Sequence, residues 1–316
     1  MALTGSVLFV HGVGGPAPGW DEALAAAMVR AGQDVSSGGF HTLRYDDVFT
    51  DGSGTALDAE SLSTPRHMPD RVAQPSAGGQ RRLTRRQLQD VVAASVRAPG
   101  GTDGARRVRL PIPMSGDLVA RLPFAGMPHA AAYRWDERRR SAARQRVVDG
   151  IVGVDASTTP PTDHVAGGAA DLAAKVNSVN APTLVIAHSL GSVVTVDALL
   201  ANGVSVDLLV TIGSPIGVDR VWCQEWEWDG IASGDAIRGG PAPATIMERC
   251  IPAWLNVVNT RDVIPWGRGV QPRFPHAVDA FITSGRMMVG PGGAHDPQVY
   301  TRSWVVASAV ARALSG

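Results

Sequence analysis

Four short, predominantly apolar runs recur along this chain, and each is followed by small or turn-forming residues. They are SVLFV, TLVIA, VDLLVTI and WLNVV, at residues 6–10, 183–187, 206–212 and 254–258. A strand with one face in water alternates apolar and polar residues, whereas a strand covered on both faces is apolar almost throughout. Because helical patterns lie between the runs, we predict an α/β fold, a mostly parallel, doubly wound sheet with helices on both faces.

The other elements follow from weaker periodic signals. Short apolar stretches predict two further strands, at residues 40–45 and 286–290, which brings the core sheet to about six strands. The stretch HAVDAFI at 276–282 is amphipathic, and we expect it to form a packed helix. Apolar residues at helical spacing predict the remaining helices, at residues 19–31, 83–97, 133–152, 169–179, 190–202 and 298–314.

The charges balance overall but are unevenly distributed. The chain has 29 basic and 29 acidic side chains, and a net charge of zero excludes a uniformly basic nucleic-acid-binding protein. Residues 66–146 nevertheless carry 17 arginines against six acidic side chains, within a stretch rich in Pro, Gly and Ser. We therefore expect residues 46–165 to be an Arg-rich insertion with helices, in an α/β core formed by residues 1–45 and 166–316.

The sequence predicts a cytoplasmic protein. The N-terminus has no positive charge before its first apolar run, and that run ends at His11, too early for a signal-peptide core. No stretch approaches the roughly 18 consecutive apolar residues that a membrane-spanning helix needs.

One motif between an apolar run and a predicted helix carries the strongest chemical signal: Ala187-His188-Ser189-Leu190-Gly191. A serine hydroxyl is a weak nucleophile unless a neighbouring base activates it. A tight strand-to-helix turn exposes such a serine, and the helix N-terminus favours the negative charge that develops there. Ser189 is therefore a candidate nucleophile.

An acid and a base with suitable positions follow later in the chain. Asp262 comes after the run WLNVV, and His295 comes after the predicted strand 286–290 in a glycine-rich loop. The carboxyl ends of parallel strands are where open α/β sheets build their sites. Two alternatives stay open at this point. Asp219 follows the strand that ends in TIGSP and could serve as the acid, and His276 competes with His295 as the base.

Together these features resemble the lipase- and esterase-like serine hydrolases of the α/β-hydrolase superfamily. The motif at Ser189 is similar to the superfamily's G-x-S-x-G nucleophile elbow, with Ala187 in place of the first glycine. The loop His11-Gly12-Val13-Gly14-Gly15 resembles the superfamily's HG loop, and Gly213-Ser214-Pro215 resembles a segment that neighbours the nucleophile in lipase-like relatives. The superfamily's first two strands have no counterpart before residue 6.

The resemblance implies a role for each candidate. Ser189 would be the nucleophile, His295 the general base and acid, and Asp262 the group that orients the imidazole. Backbone N–H groups of Leu190 and of Val13, or alternatively Gly12, would form the oxyanion hole. His11 would be a structural hydrogen-bonding residue.

The function implied by the resemblance is cleavage of a carboxylic ester through an acyl-enzyme, on a small-molecule or lipid-like acyl ester, without a metal or an organic cofactor. Acyl transfer or thioester cleavage on the same three residues is the first alternative. A non-catalytic ligand-binding protein that keeps the fold is the second.

The resemblance also suggests that residues 46–165 build a cap over the substrate pocket. Two interpretations of the arginines stay open. They either form solvated helix faces or attract an anionic substrate, an acyl carrier or an acidic membrane surface. Nucleic acid is not expected as a partner, because few aromatic residues lie among the arginines.

Overall fold

Six parallel strands form one sheet in the computed structural model of the protein. It describes residues 6–12, 18–32, 39–43, 45, 48, 83–96, 133, 136–152, 183–202, 204–218, 243–272, 274–287 and 291–315. The strands are β1 (Ser6–Val10), β2 (Gly39–Leu43), β3 (Thr183–His188), β4 (Leu208–Ile212), β5 (Trp254–Asn259) and β6 (Val278–Ile282). They are ordered β2-β1-β3-β4-β5-β6, and every neighbouring pair is parallel. The prediction of a parallel α/β sheet is confirmed, and the number of strands agrees although the sixth strand is not the one predicted.

The apolar runs become central strands because helices cover both of their faces. Every residue of β4 and β5 is buried. In β1, Val7 and Phe9 point into one hydrophobic cluster, while Leu8 and Val10 point into the other. Each position of the strand faces one of the two hydrophobic clusters and needs an apolar side chain. Apolar and polar residues therefore do not alternate along it.

The helices lie in two layers. They are α1 (Trp20–Arg30), α2 (Arg85–Ser95), α3 (Glu137–Val152), α4 (Leu190–Asn202), α5 (Pro243–Cys250), α6 (Pro297–Thr301) and α7 (Trp304–Leu314). Side chains of α1, α2 and α7 share the cluster that contains Phe9, and those of α3, α4 and α5 share the cluster that contains Val10. None of the helices among the described residues is long and apolar enough to cross a membrane.

Where the structure describes the Arg-rich segment 46–165, it has two helices, α2 and α3, and both lie in these core layers. A capping box starts α2, since Thr84 Oγ1 accepts from the Gln87 N–H while Gln87 Oε1 accepts from the Thr84 N–H. Helix α2 packs on α7 and β6, whereas α3 packs on α4. The rest of the segment lies largely outside the described residues, so the division into core and insertion stays a prediction.

Three sequence predictions near the C-terminus are corrected. Residues 278–282, expected to be helical, form the edge strand β6, in which buried and half-buried side chains alternate. Five residues are too few to distinguish a helical from a strand pattern of apolar residues. Pairing with β5 makes this segment a strand. In place of the strand predicted at 286–290, Arg286 makes an isolated bridge to Gly293, while residues 288–290 lie outside the described part.

The third correction concerns the last helix. The predicted helix 298–314 is broken into α6 and α7, because Ser303 adopts an extended conformation and its hydroxyl donates to the Tyr300 carbonyl oxygen. The helices predicted at 19–31, 83–97, 133–152 and 190–202 are confirmed within a few residues. The helix predicted at 169–179 lies outside the described residues.

A buried ionic cluster joins α3 to the helix that follows the candidate nucleophile. Asp197 on α4 is 5% exposed, and it accepts a hydrogen bond from Arg144 Nε at 2.6 Å and another from the Tyr133 hydroxyl. A carboxylate at this depth requires such partners, because its hydration is lost on folding.

We predict that Arg144→Met destabilises the protein by about 3 kcal/mol, because Asp197 keeps its buried charge and loses its cation. Urea unfolding followed by circular dichroism measures the change. Arg138→Met is the matched control, since Arg138 lies exposed on the same helix, and it should change the free energy of unfolding by less than about 0.5 kcal/mol. Equal effects of the two substitutions would show that the cluster contributes nothing specific.

Candidate active site

The site lies where the strand order reverses direction. From β1 the chain crosses outward to β2, whereas from β3 it proceeds through β4 and β5 toward the other edge. Doubly wound sheets bind ligands at such a switch point, here the carboxyl ends of β1 and β3. Gly12 follows β1 and Ser189 follows β3, so both lie at this point.

Ser189 forms the sharp turn between β3 and α4. Its φ is 53°, in the left-handed region that a residue with a side chain rarely adopts. The Ser189 N–H donates to the Ile212 carbonyl oxygen at 3.0 Å, which ties the turn to the end of β4. Such strain persists only where the surroundings hold it, and it is common at functional sites.

Two glycines let the end of β1 lie against this turn. A Cβ on Gly191 would collide with the carbonyl oxygens of His11 and Val10, the latter at 2.7 Å. A Cβ on Gly12 would lie 2.6 Å from the Ser189 Cβ. A backbone oxygen, or a Cβ bonded directly to the backbone, cannot move aside as the far end of a side chain can, so both positions require glycine. Ala187, which replaces the first glycine of the motif, is accommodated as a buried residue of β3.

The segment predicted to neighbour Ser189, residues 213–215, lies against the turn at Ser189 through Ser214. The Ser192 hydroxyl donates to the Ser189 carbonyl oxygen at 2.6 Å, and its Oγ lies 2.7 Å from Ser214 Oγ. The expected proximity of residues 213–215 to the turn is therefore confirmed.

Ser189, His295 and Asp262 form one chain of hydrogen bonds. His295 Nε2 lies 2.9 Å from Ser189 Oγ, and His295 Nδ1 lies 2.7 Å from Asp262 Oδ2. An ionised carboxylate can only accept, so Nδ1 carries the hydrogen and Nε2 of the neutral ring accepts from the serine. The structure thus brings together Asp262 with Ser189, 73 positions earlier in the chain, and with His295, 33 positions later, and places a base next to a hydroxyl.

Asn259 holds the loops that carry the acid and the histidine. Its side-chain amide donates to the carbonyl oxygens of Ser284, at 2.8 Å, and Ala294, at 3.0 Å. Its Oδ1 accepts from the Arg261 and Ser284 N–H groups. Since Ala294 precedes His295 and Asn259 ends β5, the amide connects the end of the strand directly to the histidine loop.

His188 is a part of the site that the sequence did not single out. Its Nε2 lies 2.9 Å from the His295 carbonyl oxygen, which can only accept, so Nε2–H is the donor. The two imidazole rings have centroids 4.6 Å apart. His188 and Ser189 are neighbours in sequence, and both contact His295: His188 contacts its backbone and Ser189 contacts its ring. Burial lowers the pKa of His188 well below its ordinary value, and the nearby His295 adds to the effect.

Two of the three candidate oxyanion donors lie at Ser189. Gly12 lies against its side chain, and Leu190 is the first residue of α4, where helix N–H groups lack partners within the helix. Val13 lies outside the described residues. His11 is buried, stacks on Tyr45, and has its Nδ1 2.5 Å from the Gly12 carbonyl oxygen, in keeping with the structural role expected for it.

The competing residues are separated from this arrangement or lie outside the described part. His276 packs against Trp254, with ring centroids 5.6 Å apart, and burial lowers its pKa. Asp219 lies outside the described residues, so the structure gives no geometry for the alternative acid. The described acid that contacts His295 is Asp262.

The evidence on function comes from the geometry of the site, because comparisons with known proteins add none. The chain was compared with protein-family models, curated proteins and solved structures, and nothing matches it. The proposal that follows therefore depends on the contacts described above and on the resemblance of the sequence motifs.

We predict that His188 makes the protein less stable at acidic pH. In the unfolded chain a histidine titrates near pH 6.5, whereas the pKa of His188 in the folded protein is lower. As the pH falls below about 6.5, the unfolded state therefore binds more protons than the folded state. The free energy of unfolding should therefore fall as the pH falls, by up to about 1.4 kcal/mol per pH unit from this residue.

His188→Gln tests this prediction, because glutamine keeps an N–H donor and cannot take up the proton. Urea unfolding between about pH 7 and about pH 5 should give a shallower slope for the variant than for the wild type. His276 contributes to both slopes, so the difference between them isolates His188. Identical slopes would mean that His188 does not titrate differently on folding.

Proposed function

We propose that this protein is a serine hydrolase of the α/β-hydrolase superfamily, esterase- or lipase-like, that cleaves a carboxylic ester through an acyl-enzyme on Ser189. The observation that carries the proposal is the hydrogen-bonded series from Ser189 Oγ through the His295 ring to Asp262 Oδ2. The turn at Ser189, the parallel sheet and the HG-like loop at His11-Gly12 support it. The substrate class in this proposal is a small-molecule or lipid-like acyl ester.

In the proposed reaction, His295 Nε2 takes the proton of Ser189 as Oγ attacks the ester carbonyl carbon. The tetrahedral intermediate collapses, the bond to the leaving oxygen breaks, and the imidazolium returns the proton to the alcohol. A water molecule then attacks the acyl-enzyme with His295 as its base, which releases the carboxylic acid and restores the Ser189 hydroxyl. Asp262 stabilises the imidazolium and holds Nδ1–H toward itself throughout.

The negative charge of the tetrahedral intermediate needs donors on the other side of Ser189. The N–H of Leu190 and the backbone at Gly12 are suitably adjacent to the hydroxyl. The N-terminus of α4 adds a favourable field at the same place, because helix dipoles stabilise negative charge there. No metal ion or organic cofactor takes part in this proposed mechanism.

The strain at Ser189 argues for catalysis over a non-catalytic binding role. A left-handed serine costs of order 1–3 kcal/mol, which a scaffold protein would have no reason to keep. The Asp262 side chain is also fully excluded from solvent, and His295 is aligned between it and Ser189. A binding protein needs neither the strain nor the buried acid.

A fluorophosphonate probe tests the nucleophile, because it reacts with activated serine hydroxyls. We expect the wild-type protein to be labelled and Ser189→Ala to be unlabelled. Ser205→Ala is the matched control, since the Ser205 hydroxyl donates to the Arg249 carbonyl oxygen on the exposed surface, and its labelling should equal that of the wild type. Absence of labelling in the wild type would refute the proposed function.

Substitution of the acid separates Asp262 from Asp219. We expect Asp262→Asn to lower kcat for a nitrophenyl ester by about 10⁴-fold, because the amide favours the wrong histidine tautomer. Asp219→Asn should keep kcat within a few-fold of the wild-type value. The reverse result would assign the acid to Asp219.

A further inference from the structure

A second side chain donates to the same carboxylate oxygen as His295. The Tyr300 hydroxyl lies 2.5 Å from Asp262 Oδ2, the atom that accepts from His295 Nδ1. The other oxygen, Oδ1, accepts from the Ile264 N–H at 2.9 Å. Both oxygens of this buried carboxylate therefore have donors, and one oxygen is shared between an imidazole and a phenol.

In its contact with Asp262, the Tyr300 hydroxyl can only donate. Its ring is fully buried, and the hydroxyl faces an oxygen that accepts. Burial, and next the charge of Asp262, raise the pKa of Tyr300 well above its ordinary value, which favours the protonated phenol as the donor. The Asn259 N–H points at the phenol oxygen from 3.4 Å and favours the same orientation.

The position of Tyr300 is set by the loop that also carries His295. Asp296 caps α6 by accepting from the Gln298 N–H, and its other oxygen accepts from the Gly292 N–H at 2.6 Å. The segment 291–301 is thus braced as a unit, and it presents His295 and Tyr300 to Asp262 together. Rotation of the carboxylate would break both contacts at once.

We propose that Tyr300 is a positioning residue for Asp262 and, through it, for His295. This inference rests on the proposed function. The phenol fixes the carboxylate rotamer, which keeps Nε2 of the imidazole aligned with Ser189. It also takes a share of the negative charge on Oδ2, so Asp262 attracts the proton of an imidazolium less strongly than it would without the phenol.

Tyr300→Phe removes the donor and keeps the ring. We expect kcat for a nitrophenyl ester to fall about tenfold with KM unchanged, since a hydrogen bond to a charged group is lost from the machinery and not from substrate binding. The acid limb of the kcat/KM profile should move to higher pH by about half a unit. In the described residues, the titratable groups around His295 are Asp262, Tyr300 and His188, with His11 beside His188.

Tyr133→Phe is the matched control. It also removes a phenol donor from a buried aspartate, Asp197, but that pair lies between α3 and α4 and has no contact to the histidine. We expect it to lower stability while kcat and the acid limb stay at wild-type values. A purely structural role for Tyr300 would give the same pattern in both variants.

The outcomes distinguish this inference from the proposed function. If the wild-type protein neither reacts with the fluorophosphonate nor cleaves esters, the proposed function fails and the role of Tyr300 fails with it. If the wild type is active and Tyr300→Phe matches it in kcat and in the acid limb, only the role of Tyr300 is overturned.

If Tyr300→Phe does not fold, a second measurement tests the same inference. Ring-fluorinated tyrosine, incorporated at position 300 alone so that Tyr45 and Tyr133 stay unchanged, makes the phenol a stronger donor and leaves the packing nearly unchanged. The acid limb should then move to lower pH, opposite to the Tyr300→Phe shift. A limb that does not move, in an active protein, would overturn the inference.

Discussion

The parallel direction of β1, β3 and β5 within one sheet brings their carboxyl ends to a single edge, and the candidate site depends on that alignment. Gly12, Ser189 and Asp262 each follow one of these strands. The close approach of β1 to the turn at Ser189 completes the arrangement, since Gly191 and Gly12 leave no room for side chains between them. A strand reversed in direction would carry its residue to the opposite edge of the sheet.

The buried polar groups at this edge are stable because each finds partners from another element. Asp262 has donors from His295, Tyr300 and Ile264, while His188 and Asn259 hold the backbone on either side of the histidine side chain. An unpartnered carboxylate there would cost several kcal/mol. The same contacts that remove this cost also align the imidazole, so stability and the proposed catalysis depend on one network.

Local patterns predicted five of the six strands and the candidate serine, since a buried run followed by a turn and a helix is encoded within about a dozen neighbouring positions. They failed at residues 278–282, where the period is ambiguous over five residues and pairing with β5 imposes a strand. They also missed His188 and Tyr300. Nothing adjacent to Tyr300 marks it, because its partner Asp262 lies 38 positions earlier in the chain.

The sequence by itself determined a parallel α/β sheet, a serine on the turn after β3, and an acid and a histidine after later strands. These features are local, because burial on both faces and a tight turn each restrict the residues at successive positions. Only the tertiary structure decided which side chains meet: Tyr300 and His295 on one oxygen of Asp262, His188 on the His295 backbone, and the two helices of residues 46–165 in the core layers. Such contacts join distant segments, and they are specified by packing.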